Sequence, residues 1–343
     1  MQQEHYTYMQ RAIQLACKSL GNTYPNPLVG SVIVSQGRII GEGWHHKAGE
    51  PHAEINAMNS VQDKEKLTTS TLYVTLEPCA HYGKTPPCAE KIIEWGIPKV
   101  VIGSMDPHEK VNGKGKALLE KAGVEVITGV LHQQCEDLNK RFFTFHRKQR
   151  PYIILKWAQS ADGFMDKDLR PYKISNNLSL QKSHQLRADE HAILVGTQTV
   201  LNDNPDLTVR EVKGNNPIRI ILDRKLCIPS NYKVLNKEAT TLIINEKEQK
   251  SEANLHWISL GFDQNLLTPL LDILYRKQIQ SVIVEGGAYT LHQFIKQQLW
   301  DEAWVFTAEN LHLNHGTKSP RLTHREFSIE QLRDNQLKIY KNI

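Results

Sequence analysis

The sequence predicts two α/β domains, and three observations support this. The chain has 343 residues, about twice the usual size of one domain. Helical and strand patterns alternate along its first part, and a new apolar strand follows Gln149-Arg150-Pro151. We therefore expect domains at residues 1–148 and 149–343. The first is expected to form one central sheet with helices on both faces.

Apolar spacing predicts the elements of the first domain in order. Residues 6–19 have helical spacing, and residues 28–34 and 38–44 form a hairpin across Gln36-Gly37. Pro51 is expected to open a helix that runs to Asn59. The later segments alternate, with strands at 71–76, 99–103 and 124–128 and helices at 88–95 and 114–122.

The second domain repeats this alternation. Its predicted strands cover residues 152–157, 192–195, 218–222, 241–244, 281–284 and 303–306. Its predicted helices cover residues 178–187, 266–276 and 289–298.

The composition agrees with an ordinary soluble enzyme, which we expect in the cytoplasm. No apolar run approaches the roughly 20 residues that span a bilayer, and residues 1–20 do not resemble a signal peptide. Five cysteines are scattered over the chain, an odd number that does not indicate a disulfide framework. The net charge of +5 is not concentrated as in nucleic-acid binders, and the basic stretch 140–150 is interpreted as a helix end and linker. We therefore expect neither a membrane nor a nucleic acid as partner.

One histidine, one glutamate and two cysteines form the most informative pattern. Imidazole nitrogen and thiolate sulfur are usual ligands of Zn²⁺, and a catalytic zinc site leaves a fourth position to water. Nucleobase deaminases add a glutamate that carries protons without binding the metal. The pattern predicts Zn²⁺ bound by His52, Cys79 and Cys88, with Glu54 catalytic in a hydrolytic deamination. A purely structural zinc site is the alternative, although such sites usually have a fourth protein ligand.

The spacing adds two expectations. Residues two apart point in opposite directions on a regular helix, so His52 and Glu54 must lie at a helix start to face one metal. Eight residues separate Cys79 from Cys88, whereas nucleobase deaminases have two. This segment contains His81, Lys84 and several turn residues, so we expect a phosphate-binding loop at the mouth of the site.

Glycines follow two predicted strands of the second domain. Glu285-Gly286-Gly287 ends one strand and precedes a helix, and Gly196-Thr197 follows another. Backbone amides at such a helix start can approach a phosphate. An ordinary tight turn is an equally good interpretation of either glycine site.

Over nearly the whole chain, the motifs resemble those of one family, the bifunctional riboflavin-biosynthesis deaminase/reductases. The resemblance rests on YPNPLVG at 24–30, HAE at 52–54, LEPCAHYGKTPPC at 76–88 and DP at 106–107. In the second half it rests on LK at 155–156, SADG at 160–163, LRA at 186–188, AILVG at 192–196, TVL at 199–201, NP at 204–205, LTVR at 207–210 and EGG at 285–287. The long segment between the cysteines separates this family from tRNA and free-nucleoside deaminases.

The resemblance implies an N-terminal three-layer αβα domain of the cytidine-deaminase type and a C-terminal αβ domain of the dihydrofolate-reductase type. The first would hydrolyse the ring 2-amino group of 2,5-diamino-6-(5-phosphoribosylamino)pyrimidin-4-one. By similarity, Asn26 and Asp106 would hold this substrate, and His81 and Lys84 its phosphate. The second domain would reduce the ribosyl group of the product to ribityl, with hydride passing from NADPH to C1′. A homo-oligomer is expected from the same resemblance.

In the reductase domain, the resemblance assigns substrate and cofactor residues separately. It assigns substrate binding to Arg187, Leu207, Arg210 and Glu285. It assigns NADPH binding to Ala158, Thr199, Asp203, Gly286 and Gly287.

One loop departs from the family pattern. Where the family has Ser-x-Trp-Ile-Thr, this chain has Pro171-Tyr172-Lys173-Ile174-Ser175. A substrate serine and a tryptophan that stacks on the cofactor are therefore replaced. Lys173 is expected to attract a cofactor phosphate instead, and the departure predicts a weakened or altered cofactor site.

A rival hypothesis is a nucleic-acid-editing zinc deaminase whose second domain binds RNA. It accounts for the zinc ligands and the basic charge. It does not account for the loop between the cysteines, and the chain has no aromatic-rich RNA-recognition motif.

Overall fold

The computed structural model describes residues 2–82, 86–108, 111–170, 172–247, 251–263, 265–323 and 326–342. The chain divides into two compact units, Met1–Lys148 and Gln149–Ile343. Within the described residues, every helix is too short or too polar to cross a membrane.

The first unit alternates helices and strands. Its elements are α1 (Gln2–Cys17), β1 (Gly30–Ser35), β2 (Arg38–Trp44), α2 (Ala53–Ser60), β3 (Thr71–Leu76), α3 (Cys88–Glu94), β4 (Lys99–Ser104), α4 (Lys114–Lys121), β5 (Glu125–Thr128), α5 (His132–Leu138) and α6 (Lys140–Lys148).

These elements form a three-layer αβα arrangement, as the sequence predicts. The sheet order is β2-β1-β3-β4-β5, with β1 antiparallel to β2 and β3, and with β3, β4 and β5 parallel. Side chains alternate between the faces of a strand. Val32 therefore packs in one cluster with Met9 of α1, whereas Ile33 packs on the opposite face with Met58 of α2. The parallel strands β3 and β4 direct their carboxyl ends toward one edge of the sheet.

The end of this unit differs from the prediction. Residues 140–148 form the complete helix α6 rather than a helix end and linker. Phe142, Phe143 and Phe145 are buried on it. The burial of these three side chains explains why the stretch continues as a helix, and α5 was not predicted.

The second unit contains more strands than the sequence predicts. Its elements are β6 (Tyr152–Ser160), α7 (Asn177–Asp189), β7 (Ala192–Gly196), α8 (Thr197–Asp203), β8 (Ile218–Leu222), β9 (Thr241–Asn245), β10 (Leu255–Ser259), α9 (Leu267–Arg276), β11 (Ser281–Gly286), α10 (Ala288–Lys296), β12 (Glu302–Ala308), β13 (Glu326–Leu332) and β14 (Asn335–Lys341).

These strands form one sheet in the order β10-β9-β8-β7-β11-β6-β12-β14-β13. Its strands pair in parallel except at β14, which is antiparallel to both β12 and β13. Helices α9 and α10 pack in one apolar cluster, and α7 and α8 contribute to another. The neighbouring strands β7, β11 and β6 are parallel, so their carboxyl ends lie side by side at the middle of the sheet, which is where α/β sheets commonly bind ligands.

Candidate active sites

Three elements of the first unit bring the predicted zinc ligands together. His52 is the N-cap residue of α2, Cys79 follows β3, and Cys88 is the first residue of α3. The three candidate metal ligands thus meet between two helix N-termini and the carboxyl end of a central strand. Pro51 lies just before this N-cap rather than at the first helical position.

The distances between the three side chains fit a zinc ion. His52 Nδ1 lies 3.6 Å from Cys79 Sγ and 3.3 Å from Cys88 Sγ. All candidate ligand atoms lie within 4.8 Å of one another. Tetrahedral Zn²⁺ with bonds of about 2.0–2.1 Å to nitrogen and about 2.3 Å to sulfur separates such atoms by about 3.5–3.8 Å. Among the described residues, the cluster of possible ligands contains only these three side chains. Because a tetrahedral zinc ion has four positions, the fourth would remain open to water.

Glu54 lies in the first turn of α2, beside the zinc ligands but not among them. Its side chain is buried, and burial raises the pKa of its carboxyl to about 7. It also interacts with the Cys88 thiol. A carboxyl with a pKa near neutrality can both accept and return a proton, which is what a proton carrier requires.

The two thiols differ in acidity. A hydrogen bond from Cys88 lowers the pKa of Cys79 to about 4. The pKa of Cys88 is raised instead, mainly by this hydrogen bond to Cys79 and to a smaller extent by burial. The backbone N–H of Cys88 also donates to Cys79 Sγ at 3.3 Å. The hydrogen bond to Cys79 raises the pKa of His52 to about 9. Metal ligands must be deprotonated, so metal binding at this cluster releases protons.

Asn26 is connected to the metal ligands through His45, a residue that the sequence analysis did not identify. Asn26 Nδ2 lies 3.0 Å from His45 Nε2, and His45 Nδ1 lies 3.1 Å from the Pro51 carbonyl oxygen. The His45 ring packs edge-on against His52, with 5.5 Å between centroids. The only hint in the sequence was that His45 lies a few positions before Pro51 and His52. This closeness along the chain does not specify a contact between the side chains.

Asp106 lies after β4, at the carboxyl edge of the sheet where β3 ends. It is buried, and burial raises the pKa of its carboxyl to about 7, with smaller contributions from Glu77 and Cys79. Asp106 Oδ1 accepts a hydrogen bond from the His108 backbone N–H at 2.7 Å. The structure thus brings Asn26, Asp106 and the zinc ligands into one region of the first unit.

The predicted phosphate loop is only partly described. His81 is exposed, and Lys84 lies outside the described residues. The assignment of both residues to the substrate phosphate stays a prediction.

The second unit has a buried ion pair where β11 ends. Arg187 donates to both carboxylate oxygens of Glu285, at 3.0 and 2.8 Å. Lys156 Nζ of β6 lies 3.9 Å from Glu285 Oε1. Burial alone would raise the pKa of Glu285, but Arg187 and Lys156 together lower it to about 2. The sequence analysis predicted Arg187 and Glu285 but gave Lys156 no role.

Arg210 lies on the loop that follows α8 and is close to this pair. Arg187 Nη1 donates to the Thr208 carbonyl oxygen at 3.4 Å, and Arg210 Nη1 donates to Thr208 Oγ1 at 3.0 Å. The backbone N–H of Arg210 donates to Nδ1 of the buried His184 at 3.1 Å. The Leu207 side chain is buried in the apolar core, so only its main chain is available to a ligand.

The glycine loop after β11 lies against α8. Gly286 has φ of +126°, a conformation that only glycine adopts readily. A Cβ atom on Gly287 would lie 3.2 Å from Thr199 Oγ1, so the Thr199 hydroxyl contacts this backbone. Asp203 ends α8 and is exposed, and Ala158 is half-buried on β6. Gly286, Gly287 and Thr199 thus lie near the carboxyl ends of the neighbouring strands β7 and β11, and the assignment of these residues to NADPH stays a prediction.

Lys173 lies on a different surface feature. It lines a cavity of about 380 Å³ together with Asn176, Arg333 and Asp334, among other residues. None of the other predicted cofactor residues lines this cavity. Its assignment to the cofactor stays a prediction, and Pro171 lies outside the described residues.

Each unit matches a model of a known protein family. Residues 151–311 match the family model described as RibD C-terminal domain. Residues 2–104 match the model described as cytidine and deoxycytidylate deaminase zinc-binding region.

Relatives and solved structures match over most of the chain. The riboflavin biosynthesis protein RibD of Aquifex aeolicus is 44% identical over 314 residues, which cover 89% of this chain and 86% of the relative. The protein of the same name from Escherichia coli is 36% identical over 329 residues, covering 91% and 89%. The crystal structure of a diaminohydroxyphosphoribosylaminopyrimidine deaminase/5-amino-6-(5-phosphoribosylamino)uracil reductase from Thermotoga maritima has a TM-score of 0.91, at 36% identity and 99% coverage of both chains.

Proposed function

Because this chain belongs to the RibD family of bifunctional riboflavin-biosynthesis enzymes, we propose that it performs two successive reactions on one phosphoribosylated pyrimidine. Zinc-dependent deamination of 2,5-diamino-6-(5-phosphoribosylamino)pyrimidin-4-one comes first, and NADPH-dependent reduction of the ribosyl group to ribityl follows. The assignment of the first reaction is supported chiefly by the His/Cys/Cys cluster, which lies beside a buried glutamate. We assign deamination to residues 1–148 and reduction to residues 149–343.

In the first unit, His52, Cys79 and Cys88 would hold Zn²⁺, which activates water when bound. Glu54 then takes a proton from the attacking water and delivers it to the departing amino group. Burial supports this role, because it raises the pKa of the carboxyl to about 7, so that its ionised form, which accepts a proton, and its protonated form, which returns one, are both available near neutral pH. Asn26 and Asp106 hold the pyrimidine beside the metal ligands.

The substrate phosphate would bind at the mouth of the same site. We assign it to His81 and Lys84, on the segment between the two cysteine ligands. The exposure of His81 supports this assignment, since a charged phosphate is more easily bound where it remains partly hydrated.

In the second unit, Arg187, Arg210, Glu285 and the Leu207 main chain bind the ribosyl substrate. The support is the network that joins Arg187 to Glu285 and to the Thr208 carbonyl oxygen. NADPH supplies hydride when bound. The chain's part is to orient the nicotinamide and the sugar at neighbouring strand ends, through the Gly286-Gly287 backbone, Thr199, Ala158 and Asp203. We assign Lys173 to an anionic group of the cofactor.

The RNA-editing alternative is not favoured, because the second unit matches the RibD C-terminal domain rather than an RNA-binding module. We propose the cytoplasm as the compartment and a homo-oligomer as the assembly state.

A substrate panel tests this proposal. We expect the purified chain to release ammonia from the diaminopyrimidine ribotide, and to release at least about 100-fold less from cytidine or from a cytidine-containing RNA at the same concentration, since a site built to bind particular polar groups rejects ligands that lack them. Release from RNA at a comparable rate would support the rival hypothesis instead.

A further inference from the structure

Glu77 is a buried carboxylate to which the sequence analysis and the proposed mechanism assign no role. It follows β3 and precedes Pro78 and the zinc ligand Cys79. Its side chain is 4% exposed. Among the described residues, no ion pair involves Glu77, so its charge must be stabilised in another way.

In the part of the chain that the structure describes, three backbone N–H groups donate to this carboxylate. Glu77 Oε2 accepts from Asp106 at 3.3 Å and from Gly113 at 3.0 Å, and Oε1 accepts from Lys116 at 3.1 Å. Hydrogen bonds to a charged acceptor are stronger than those between neutral groups. Gly113 is the N-cap residue of α4 and has no side chain to cap this helix. Glu77 therefore supplies the cap from another element, next to the positive end of the helix dipole.

These hydrogen bonds connect two parts of the segment that runs from β4 into α4. Asp106 belongs to the loop after β4, whereas Gly113 and Lys116 belong to the start of α4. The contact is close on the α4 side, because a Cβ atom on Gly115 would lie 2.0 Å from the Pro78 carbonyl oxygen. The backbone N–H of Glu77 also donates to the Ser104 carbonyl oxygen at 3.0 Å. The segment that carries Cys79 is thus fixed to the loop that carries Asp106.

We propose that Glu77 is a positioning residue of the deaminase, which holds Asp106 at the correct distance from the zinc ligands by binding the loop after β4 and the start of α4 together. This inference rests on the proposed function, in which Asp106 binds the pyrimidine. Glu77 does not touch the substrate. Its effect on catalysis passes through Asp106, because the Asp106 backbone N–H donates a hydrogen bond to the Glu77 carboxylate.

A double-mutant cycle on the full-length chain tests the proposal. The variants are Glu77→Gln, Asp106→Asn and the double variant, with ammonia release from the diaminopyrimidine ribotide measured over a range of concentrations. Glutamine keeps the size of Glu77 but places an NH₂ group against backbone N–H donors. We expect Glu77→Gln to lower kcat/KM by about 10- to 100-fold, the cost of a misplacement of about 1 Å. We expect it to have little further effect in the Asp106→Asn background, since both changes remove one interaction.

Two measurements separate positioning from a purely structural role. Zinc content at the assay temperature should stay near that of the wild type in Glu77→Gln, although its midpoint of thermal unfolding should fall, because the cap of α4 and its charge-assisted hydrogen bonds are weakened. Glu77→Asp, which keeps the charge but shortens the side chain, should recover part of the lost kcat/KM, and it replaces the glutamine variant if that variant fails to fold. Asp63→Asn is the matched control, because Asp63 caps the short helix Lys64–Thr69 through the Glu65 N–H and lies outside the site. It should leave kcat/KM unchanged.

Three results would each overturn the positioning role. The first is a loss of kcat/KM in the double variant equal to the product of the two single losses. The second is a loss of zinc from Glu77→Gln in parallel with its activity, and the third is wild-type activity of Asp106→Asn. These outcomes differ from failure of the proposed function, in which the wild-type chain itself releases no ammonia from this substrate.

Discussion

Replacement of Glu54 by glutamine is expected to lower ammonia release from the diaminopyrimidine ribotide by at least about 100-fold, because general acid–base catalysis contributes about 10²–10⁴-fold. The amide fills the same buried space beside the zinc ligands but cannot carry a proton. Zinc should remain bound, since Glu54 is not among the three candidate ligands. The measurement is steady-state ammonia release together with zinc content.

Glu50→Gln is the matched control for this change. Glu50 is exposed in the turn before α2, so the same loss of one carboxylate should leave the rate unchanged. Reduction of the supplied deaminated intermediate should also proceed normally in Glu54→Gln. Ammonia release at the wild-type rate in Glu54→Gln would exclude Glu54 as the proton carrier and would favour a purely structural zinc site.

Replacement of Cys88 by alanine is expected to remove the bound zinc and to reduce ammonia release to background. Two ligands, His52 and Cys79, would remain, and a structural or catalytic zinc site usually needs at least three protein ligands. The first unit should also unfold at a lower temperature, because the binding energy of a metal that binds only the folded state adds to stability. Elemental analysis and thermal unfolding with and without added Zn²⁺ measure these effects.

Cys17→Ser provides the comparison, because Cys17 is an exposed thiol of the same unit at the end of α1. It should retain wild-type zinc content and activity. A full equivalent of zinc in Cys88→Ala, with unchanged ammonia release, would show that the metal is held elsewhere.

Elements with a mainly apolar pattern could be predicted from the sequence. β3 and β8 have the predicted bounds because each is a short, mainly apolar strand between turn residues. β13 and β14 escaped prediction because their apolar residues alternate with polar and charged ones, so neither strand has a continuous apolar run. α6 covers most of the stretch that was expected as a helix end and linker, because its three phenylalanines are buried.

The clustering of the candidate zinc ligands could be predicted because zinc chemistry requires particular residue types at a recognisable spacing. Residues that act through backbone contacts give no such signal. Glu77 accepts hydrogen bonds from main-chain groups 29 to 39 positions away, which any residue type could supply. Lys156 is a similar case, because it approaches Glu285 through the pairing of β6 with β11 rather than through a local motif.

The two-step reaction is tested most directly by the ratio of ammonia released to NADPH oxidised when the purified chain is given the diaminopyrimidine ribotide. We expect about one NADPH to be oxidised per ammonia released. Ammonia release should continue when NADPH is omitted, and NADPH oxidation should fail in Glu54→Gln until the deaminated intermediate is supplied. Ammonia release without any NADPH oxidation would contradict the second reaction. NADPH oxidation by Glu54→Gln without the supplied intermediate would contradict the proposed order of the two reactions.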